Sequence, residues 1–333
     1  MELRKIQEMG GGTALVSLPK EWVKMNNLRK GSLLSIERTP DNRILIYPHQ
    51  KEEHESRRID IPYPAEYREY LLNQITGAYL MGYDIITIQA RERMSYQDRE
   101  MIKTAVRHLV GLEIVEEDAH SITTQFLPEP ATLNPEKILR RISMISRGMH
   151  RDAITALLEK DEHLVKVVAE RDDEVDRSYF LLVRLIRSAV MDPRLASSFK
   201  LSPIDCLDYR VAANLLESIG DRSTDLARTV SKMQSLSLSP EVSKKLDEAS
   251  RLLEEEQDLA LKTFLTRRAE AARGVVRLSG DLQKTLADLE QSTTSMSNTL
   301  RSPILDIVSS MNSIRKYHID IADLAVPMYP IVR

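Results

Sequence analysis

Cysteine is almost absent from this 333-residue chain, which contains only Cys206. A single thiol excludes a disulfide framework and a thiolate metal site, and we expect the protein to work in a reducing cytoplasm. Long apolar runs are lacking as well. The nearest one, residues 179–186, is interrupted by Arg184, so we expect no membrane-spanning helix. We also expect no signal peptide, because the N-terminus lacks an apolar core of the required length.

Aromatic residues make up only 5% of the chain, and strings of Leu, Ala, Glu, Arg and Ser favour helices over a β-sandwich or barrel. The sequence has no phosphate-cradling glycine motif and no nucleophile constellation. We expect His150, His163 and His318 to lie on a bundle surface rather than to bind metal. The one Glu-x-x-His spacing, Glu117 to His120, falls outside the helical region. We therefore expect no enzymatic activity.

Charge is distributed unevenly along the chain. The formal net charge is −3, but residues 1–50 hold eight Lys or Arg against five acids, a net +3, which leaves −6 for the rest. A small basic segment on an acidic body is typical of an interaction patch.

The first segment, residues 1–50, has the pattern β-β-α-β-β. A glycine turn at 10–12 separates two strands, a helix begins near Pro19, and a second turn at 40–42 joins the last two strands. A unit this small buries little core and leaves open strand edges. We therefore expect it to pair with a second copy.

The second segment, residues 56–127, follows a charged connector at 51–56. Its β-α-β-α-β-β pattern predicts a small α/β domain. The stretch 127–135 contains three prolines and predicts a linker.

The third segment, residues 135–333, is helical nearly to its end. Breaks are predicted at 159–163, 191–203, 235–240, 265–268 and 295–303. Six helices result, in two three-helix units at about 135–235 and 240–333, so an internal duplication is predicted.

The order β-β-α-β-β, the string TALVSLPKEW and Gly31 ahead of the second hairpin resemble the AbrB/MazE/SpoVT swapped-hairpin DNA-binding domains. In that family two chains interleave their hairpins into one barrel, and basic residues contact DNA. The resemblance implies a half-barrel in each chain, a homodimer, and DNA as partner. The positions that would contact DNA are Arg4, Lys5, Lys20, Lys24, Arg29 and Lys30. The alternative is that the barrel only dimerises and its charges are solvated.

Two rows of carboxylates stand out in the helical segment. Asp172 and Asp176 lie four apart, and Glu217, Asp221 and Asp225 follow one another at the same spacing. This spacing places carboxylates one turn apart on a common face, near enough to share a cation. Both rows lie outside the apolar stripes of their helices, which disfavours a di-iron site in the core. A surface metal site, a basic partner and a solvated acidic face remain as alternatives.

The strings ERDDEVDR and LESIGDRSTDLA resemble the PhoU family of phosphate-uptake regulators, which repeats a three-helix unit twice. The resemblance covers residues 135–333 and implies an all-α bundle with a multinuclear metal cluster, typically iron or zinc, on its surface. Oxygen-only ligands also leave Mg²⁺, Ca²⁺ or Mn²⁺ open. The implied ligands are Asp172, Asp176, Glu217, Asp221 and Asp225.

The second repeat keeps less of this acidic pattern. Lys316 stands where the first repeat has Asp221, Asp320 corresponds to Asp225, and Asp281 has no partner in register. One metal site is therefore expected rather than two.

Taken together, the three segments resemble archaeal PhoU-related regulators along the whole chain. The resemblance implies a cytoplasmic, homodimeric regulator of phosphate homeostasis that binds promoter DNA. Its bundle would contact a phosphate ABC-transporter ATPase and a sensor kinase. The alternative function is a protein-interaction adaptor that restrains the transporter, with an N-terminal domain that serves only dimerisation. Charge reversal at Lys5 and Lys20 would distinguish the two.

Overall fold

The structure, a computed structural model, describes residues 2–9, 11, 13–38, 42–49, 56–63 and 68–325. The predicted turn at 40–42 and the predicted connector at 51–56 lie outside these ranges, apart from Asn42 and Ser56. The chain divides into two compact units, residues 1–55 and residues 56–333. The finer domain boundaries stay a prediction.

The first unit contains two antiparallel hairpins and a short helix, in the predicted order. The predicted first strand is paired only from Gln7, because its hairpin partner ends at Leu15. Gly11 and Gly31 take positive φ angles of 100° and 93°, which a side chain would disfavour. The elements are β1 (Gln7–Met9), β2 (Thr13–Leu15), α1 (Lys20–Met25), β3 (Leu34–Arg38) and β4 (Ile44–Pro48).

The second unit begins with an α/β layer whose six elements match the predicted pattern. They are β5 (Arg58–Tyr63), α2 (Arg68–Leu80), β6 (Ile85–Ala90), α3 (Tyr96–Arg107), β7 (Leu112–Glu117) and β8 (Ser121–Phe126). The sheet order is β5-β6-β8-β7. Only β5 and β6 run parallel, and the other neighbours are antiparallel.

The rest of the second unit is a helical bundle. Its helices are α4 (Pro135–Glu159), α5 (Glu162–Met191), α6 (Pro193–Phe199), α7 (Pro203–Met233), α8 (Pro240–Thr266), α9 (Ala269–Ser292) and α10 (Asn298–Asp323). Four of them start with a proline directly after a capping Asn, Asp or Ser. The cap side chain accepts a first-turn N–H, and proline has no N–H to satisfy at that position.

Two predicted breaks in the bundle were wrong in detail. The break at 191–203 contains the seven-residue helix α6, because Asp192 caps it and Pro193 opens it. Helix α10 begins at Asn298 rather than after the break ends at residue 303, and Pro303 lies inside it. A proline in the second turn loses one hydrogen bond but does not prevent the helix from starting earlier.

Helix α5 belongs to both hydrophobic cores of the second unit. Val175, Leu182 and Ile186 lie in the bundle core, whereas Leu181 and Leu185 lie in the core of the α/β layer. The layer is therefore packed directly on the bundle. The predicted fold class is confirmed, with a small β-strand unit followed by a mostly helical body. Among the described residues, no helix is both long and apolar enough to cross a membrane.

Candidate functional sites

The basic residues predicted to contact DNA lie in three places in the first unit. Arg4 and Lys5 precede β1, Lys20 and Lys24 lie on α1, and Arg29 and Lys30 lie in the loop before β3. All six are exposed. Arg4 already has two partners, because its guanidinium pairs with the Glu2 carboxylate and donates to the Ser17 hydroxyl at 3.2 Å. The other five form no ion pair with any residue that the structure describes.

The first unit has no hydrophobic core of its own among its described residues, since none of them is buried. Large apolar side chains lie open to solvent on it. Leu3 is 87% exposed, Leu33 70%, Ile36 69% and Ile44 65%. Apolar side chains exposed in one contiguous patch are typical of interaction surfaces.

The two carboxylate rows face each other because α5 and α7 approach closely. A Cβ at Gly220 would lie 3.2 Å from Val175 Cγ1 and 3.6 Å from Asp172 Oδ1, so glycine permits this approach. Further along, the Tyr179 hydroxyl donates to Asn214 Oδ1 at 3.2 Å. The guanidinium of Arg210 lies 5.1 Å from the centre of the Tyr179 ring.

Asp172, Asp176, Glu217 and Asp221 form one group, which we call the carboxylate cluster. Burial, followed by the charges of Asp172 and Asp221, raises the pKa of Asp176 to about 6. Burial, followed by the charges of Asp221 and Asp176, raises the pKa of Glu217 to about 7. The pKa of Asp172 is raised as well, again mainly by burial. Burial, and after it the negative charge of the neighbours, therefore disfavours ionisation of these side chains.

Asp225, the fifth predicted ligand, does not join the cluster. Its two carboxylate oxygens form ion pairs with Arg222 at 3.1 Å and Arg228 at 3.0 Å, both on the same helix. The structure thus brings together four of the five residues and gives the fifth two cations of its own.

The cluster suits a cation in its chemistry but is not arranged as a chelate. Its donors are all carboxylate oxygens, which hard divalent cations prefer, and its members form no ion pair with a described residue. Across the part of the chain that the structure describes, no three or more His, Cys, Asp or Glu side chains are arranged to hold a metal ion. The four side chains would have to turn toward a common centre.

Residues 139–230 match the family model of the PhoU domain. The chain carries a PhoU domain. Residues 9–54 match the model described as antidote-toxin recognition MazE, bacterial antitoxin, so the first unit is of MazE type. No curated protein matches the chain.

Solved structures of PhoU are similar to part of this chain. PhoU from Pseudomonas aeruginosa has a TM-score of 0.51 and 19% identity, and the match covers 57% of this chain and 93% of that chain. The phosphate transport system regulatory protein PhoU from Streptococcus pneumoniae has a TM-score of 0.49 and 15% identity, with 57% and 91% covered. The first likeness extends over more of the chain than residues 139–230, so the PhoU fold continues beyond the matched domain.

The second predicted three-helix unit, residues 240–333, shows no equivalent of the carboxylate cluster among its described residues. Asp281 pairs with Lys284 at 3.7 Å on its own helix. Asp320 is exposed, and partial burial together with the charge of Asp323 raises its pKa. The acidic site therefore lies in the PhoU domain proper.

The prediction that His150 and His318 lie on the bundle surface was wrong, because both are fully buried, whereas His163 is exposed. His150 Nε2 lies 2.9 Å from Gln257 Oε1, and His318 Nδ1 lies 3.2 Å from Glu256 Oε2. These pairs join α8 to α4 and to α10. A polar residue on the apolar stripe of its helix is the only sequence signal for them.

Arg184 is another buried polar residue that the sequence did not explain. It interrupts an apolar run of α5, and its guanidinium donates to the carbonyls of Tyr79 and Tyr83 at 2.8 Å each. It also pairs with the Asp84 carboxylate at 2.8 Å. Arg184 therefore fastens the α/β layer to the PhoU domain.

Proposed function

We propose that this protein is a regulator of phosphate uptake that binds DNA as a homodimer through its MazE-type unit. Its PhoU bundle would hold a metal cation at the carboxylate cluster and contact a phosphate ABC-transporter ATPase and a sensor kinase. No catalytic step is proposed. The PhoU domain at residues 139–230 supports the link to phosphate, and the MazE-type unit supports the DNA contact.

The observation that carries the DNA-binding part is a set of exposed cations without described partners. Lys5, Lys20, Lys24, Arg29 and Lys30 form this set, on a segment whose net charge is +3. Lys and Arg neutralise phosphates and release counterions, and dimerisation brings the charge to about +6 on one assembly. The modest charge favours DNA binding that depends on salt.

The observation that supports the homodimer is the exposed apolar surface of the first unit. Strands as short as β1 and β2 are unstable alone, and side chains such as Ile36 gain nothing from exposure to water. A second copy of the unit offers a complementary apolar surface. This is also the arrangement that the resemblance to swapped-hairpin domains implies.

The proposed cation would be held by Asp172, Asp176, Glu217 and Asp221. When bound, it would neutralise their charge and draw α5 and α7 together. Asp225 is left out, because Arg222 and Arg228 already neutralise it. The bundle would then present a surface whose charge depends on the metal.

Charge reversal tests the DNA-binding part. We expect the double variant Lys5→Glu/Lys20→Glu to lose retention on a promoter fragment, since two phosphate contacts per chain become repulsive. The matched control is Lys262→Glu, because Lys262 is exposed on α8 and lies far along the chain from the first unit. Light scattering checks that each variant remains a dimer. Equal retention by the double variant and the wild type would favour the adaptor function instead.

A further inference from the structure

The α/β layer contains a cleft that the proposed function does not use. It lies where β6 and β7 end and α3 begins, and its volume is about 660 Å³. The N–H of Met94 donates to the Ala119 carbonyl at 3.0 Å, which holds the loop after β6 against the turn between β7 and β8. We call this feature the α3 cleft.

The α3 cleft is lined by three cationic side chains, Arg93, Arg99 and Lys103, against the single carboxylate of Glu117. Arg99 is fixed in place, because it pairs with Glu117 and donates to the Asp118 carbonyl at 2.8 Å. The Nζ atom of Lys103 lies 3.2 Å from the Glu117 carboxylate and 3.3 Å from the Glu100 carboxylate, and these two ion pairs hold the ammonium group in place. Arg93 is exposed and forms no ion pair with any residue that the structure describes. Arg93 therefore gives the cleft one cationic group that no described carboxylate neutralises.

The start of helix α3 adds to this positive field. Ser95 caps the helix and accepts the N–H of Asp98 at 3.2 Å, and its hydroxyl donates to the Asp98 carboxylate at 2.5 Å. Asp98 is buried and does not line the cleft. The first N–H groups of the helix, at Tyr96 and Gln97, have no partner within the helix and favour an anion.

Tyr96 gives the cleft an aromatic wall. Its side chain lines the cleft and is 77% exposed, whereas the neighbouring Met94 is 3% exposed and forms an apolar floor. An exposed ring beside guanidinium groups is suited to stacking on a planar heterocycle. The volume of the cleft falls in the range of small-ligand sites.

We propose that the α3 cleft binds a nucleoside phosphate. Arg93, Arg99 and the start of α3 contact its phosphate group, and Tyr96 stacks on its base. The α/β layer thereby becomes a small-molecule sensor packed on the PhoU domain. The proposal does not depend on DNA or metal binding elsewhere in the chain.

Isothermal titration of the full chain with AMP, ADP, ATP and inorganic phosphate tests this proposal. We expect at least one nucleotide to bind with a Kd of about 1 mM or below, and more tightly than inorganic phosphate. Arg93→Ala should weaken that binding about tenfold, since a charge-assisted contact is lost. Tyr96→Ala should weaken nucleotides but not inorganic phosphate.

Arg91→Ala is the matched control, because Arg91 is exposed in the same loop but does not line the cleft. Its nucleotide affinity should stay within about twofold of the wild type. No binding by any nucleotide to the folded protein would overturn the proposal, as would equal losses in Arg91→Ala and Arg93→Ala. Loss of nucleotide binding in Lys5→Glu/Lys20→Glu would place the ligand on the first unit instead, which also overturns it.

Discussion

Half-buried carboxylates that lie close together without a cation raise the free energy of the folded state, because burial, and after it the charge of each neighbour, disfavours their ionisation. Glu217 is the strongest case in the carboxylate cluster, with a pKa of about 7 against an ordinary 4.5. Between pH 4.5 and about pH 7 the folded state therefore holds a proton on Glu217 that the unfolded state has lost. The free energy of unfolding falls as the pH rises through this range, and above about pH 7 the loss is complete. A bound cation removes it.

We expect Glu217→Gln to stabilise the metal-free protein at about pH 8 by about 1 kcal/mol, since solvent still reaches this half-buried side chain and weakens the effect. The same variant should lose most of the rise in Tm that Mn²⁺ or Zn²⁺ gives the wild type, because one of four oxygen donors has no charge. Differential scanning fluorimetry with and without each metal measures both effects.

Asp225→Asn is the control for that experiment. Asp225 already has two arginine partners, so the wild-type rise in Tm with metal should persist in this variant. If metal fails to raise the Tm of the wild type, or if Asp225→Asn loses the rise as fully as Glu217→Gln, the proposed metal site is wrong.

His150 gives the stability of the bundle a pH dependence of the opposite sign. Burial, followed by the charge of His318, lowers its pKa to about 3 from 6.5. The unfolded state therefore binds a proton below pH 6.5 that the folded state refuses, and stability falls as the pH drops through this range. From about pH 7.5 to about pH 5 we expect the free energy of unfolding to fall by about 2 kcal/mol less in His150→Gln than in the wild type. Urea unfolding at both pH values measures this difference, and parallel pH profiles would contradict it.

The spacing of residues along the sequence predicts part of the carboxylate cluster but not all of it. The spacing of four predicted that Asp172 and Asp176 share a face, and the structure places them together with Glu217. Spacing along one helix could not predict that Asp225 pairs with Arg222 and Arg228 rather than joining the cluster. Residues three and four positions away lie equally near on a helix surface, so Asp225 had both arginines and Asp221 as possible neighbours. Nor could spacing predict the burial of His150, whose partner Gln257 lies on a different helix.

Secondary-structure elements of the second unit are joined through α5. The guanidinium of Arg184 lies between the α/β layer and the bundle, only 2% exposed and 4.0 Å from the centre of the Phe126 ring. Its partner Asp84 is buried as well. A buried ion pair of this kind contributes little by its charge alone, but removing one partner leaves the other charge in a place that water hardly reaches.

We expect Arg184→Met to destabilise the second unit by about 3 to 5 kcal/mol, because the Asp84 carboxylate and the carbonyl oxygens of Tyr79 and Tyr83 lose the hydrogen bonds from the guanidinium. Urea unfolding monitored by circular dichroism measures the change. The double variant Arg184→Met/Asp84→Asn should recover part of the loss, since the buried negative charge that Arg184 neutralises is removed as well. Arg184→Met at wild-type stability would show that the contact does not fasten the α/β layer.

Helix starts could be predicted from the sequence where a capping side chain precedes the first turn. A capping side chain followed by proline marks the starts of α4, α7 and α8. The same signal at Asp192 and Pro193 was missed because the stretch also carries the features of a break. The order of the long bundle helices along the chain could be predicted from the breaks between them. The packing of the α/β layer on α5 could not, because it depends on contacts between Arg184 and residues about a hundred positions away.

At the scale of the whole molecule, the first unit depends on a second chain in our account. We expect Ile36→Asp to convert the protein from a dimer to a monomer, because Ile36 is 69% exposed on β3 and would be covered by the partner. Val276→Asp is the control, since Val276 is 60% exposed on α9 in the bundle. Light scattering after gel filtration gives the mass of each. A dimeric Ile36→Asp variant, or a monomeric wild type, would contradict the proposed dimer.

Sequence-specific DNA binding is the central claim of the account, and capture of DNA tests it most directly. The purified full-length protein is incubated with fragmented host DNA at about 150 mM salt, where purely electrostatic binding is weak, and the retained fragments are sequenced. We predict a few sharp peaks at the promoters of phosphate-transport genes, and their loss in Lys5→Glu/Lys20→Glu. A flat profile from a folded wild-type dimer would contradict the claim and leave the MazE-type unit as a dimerisation device.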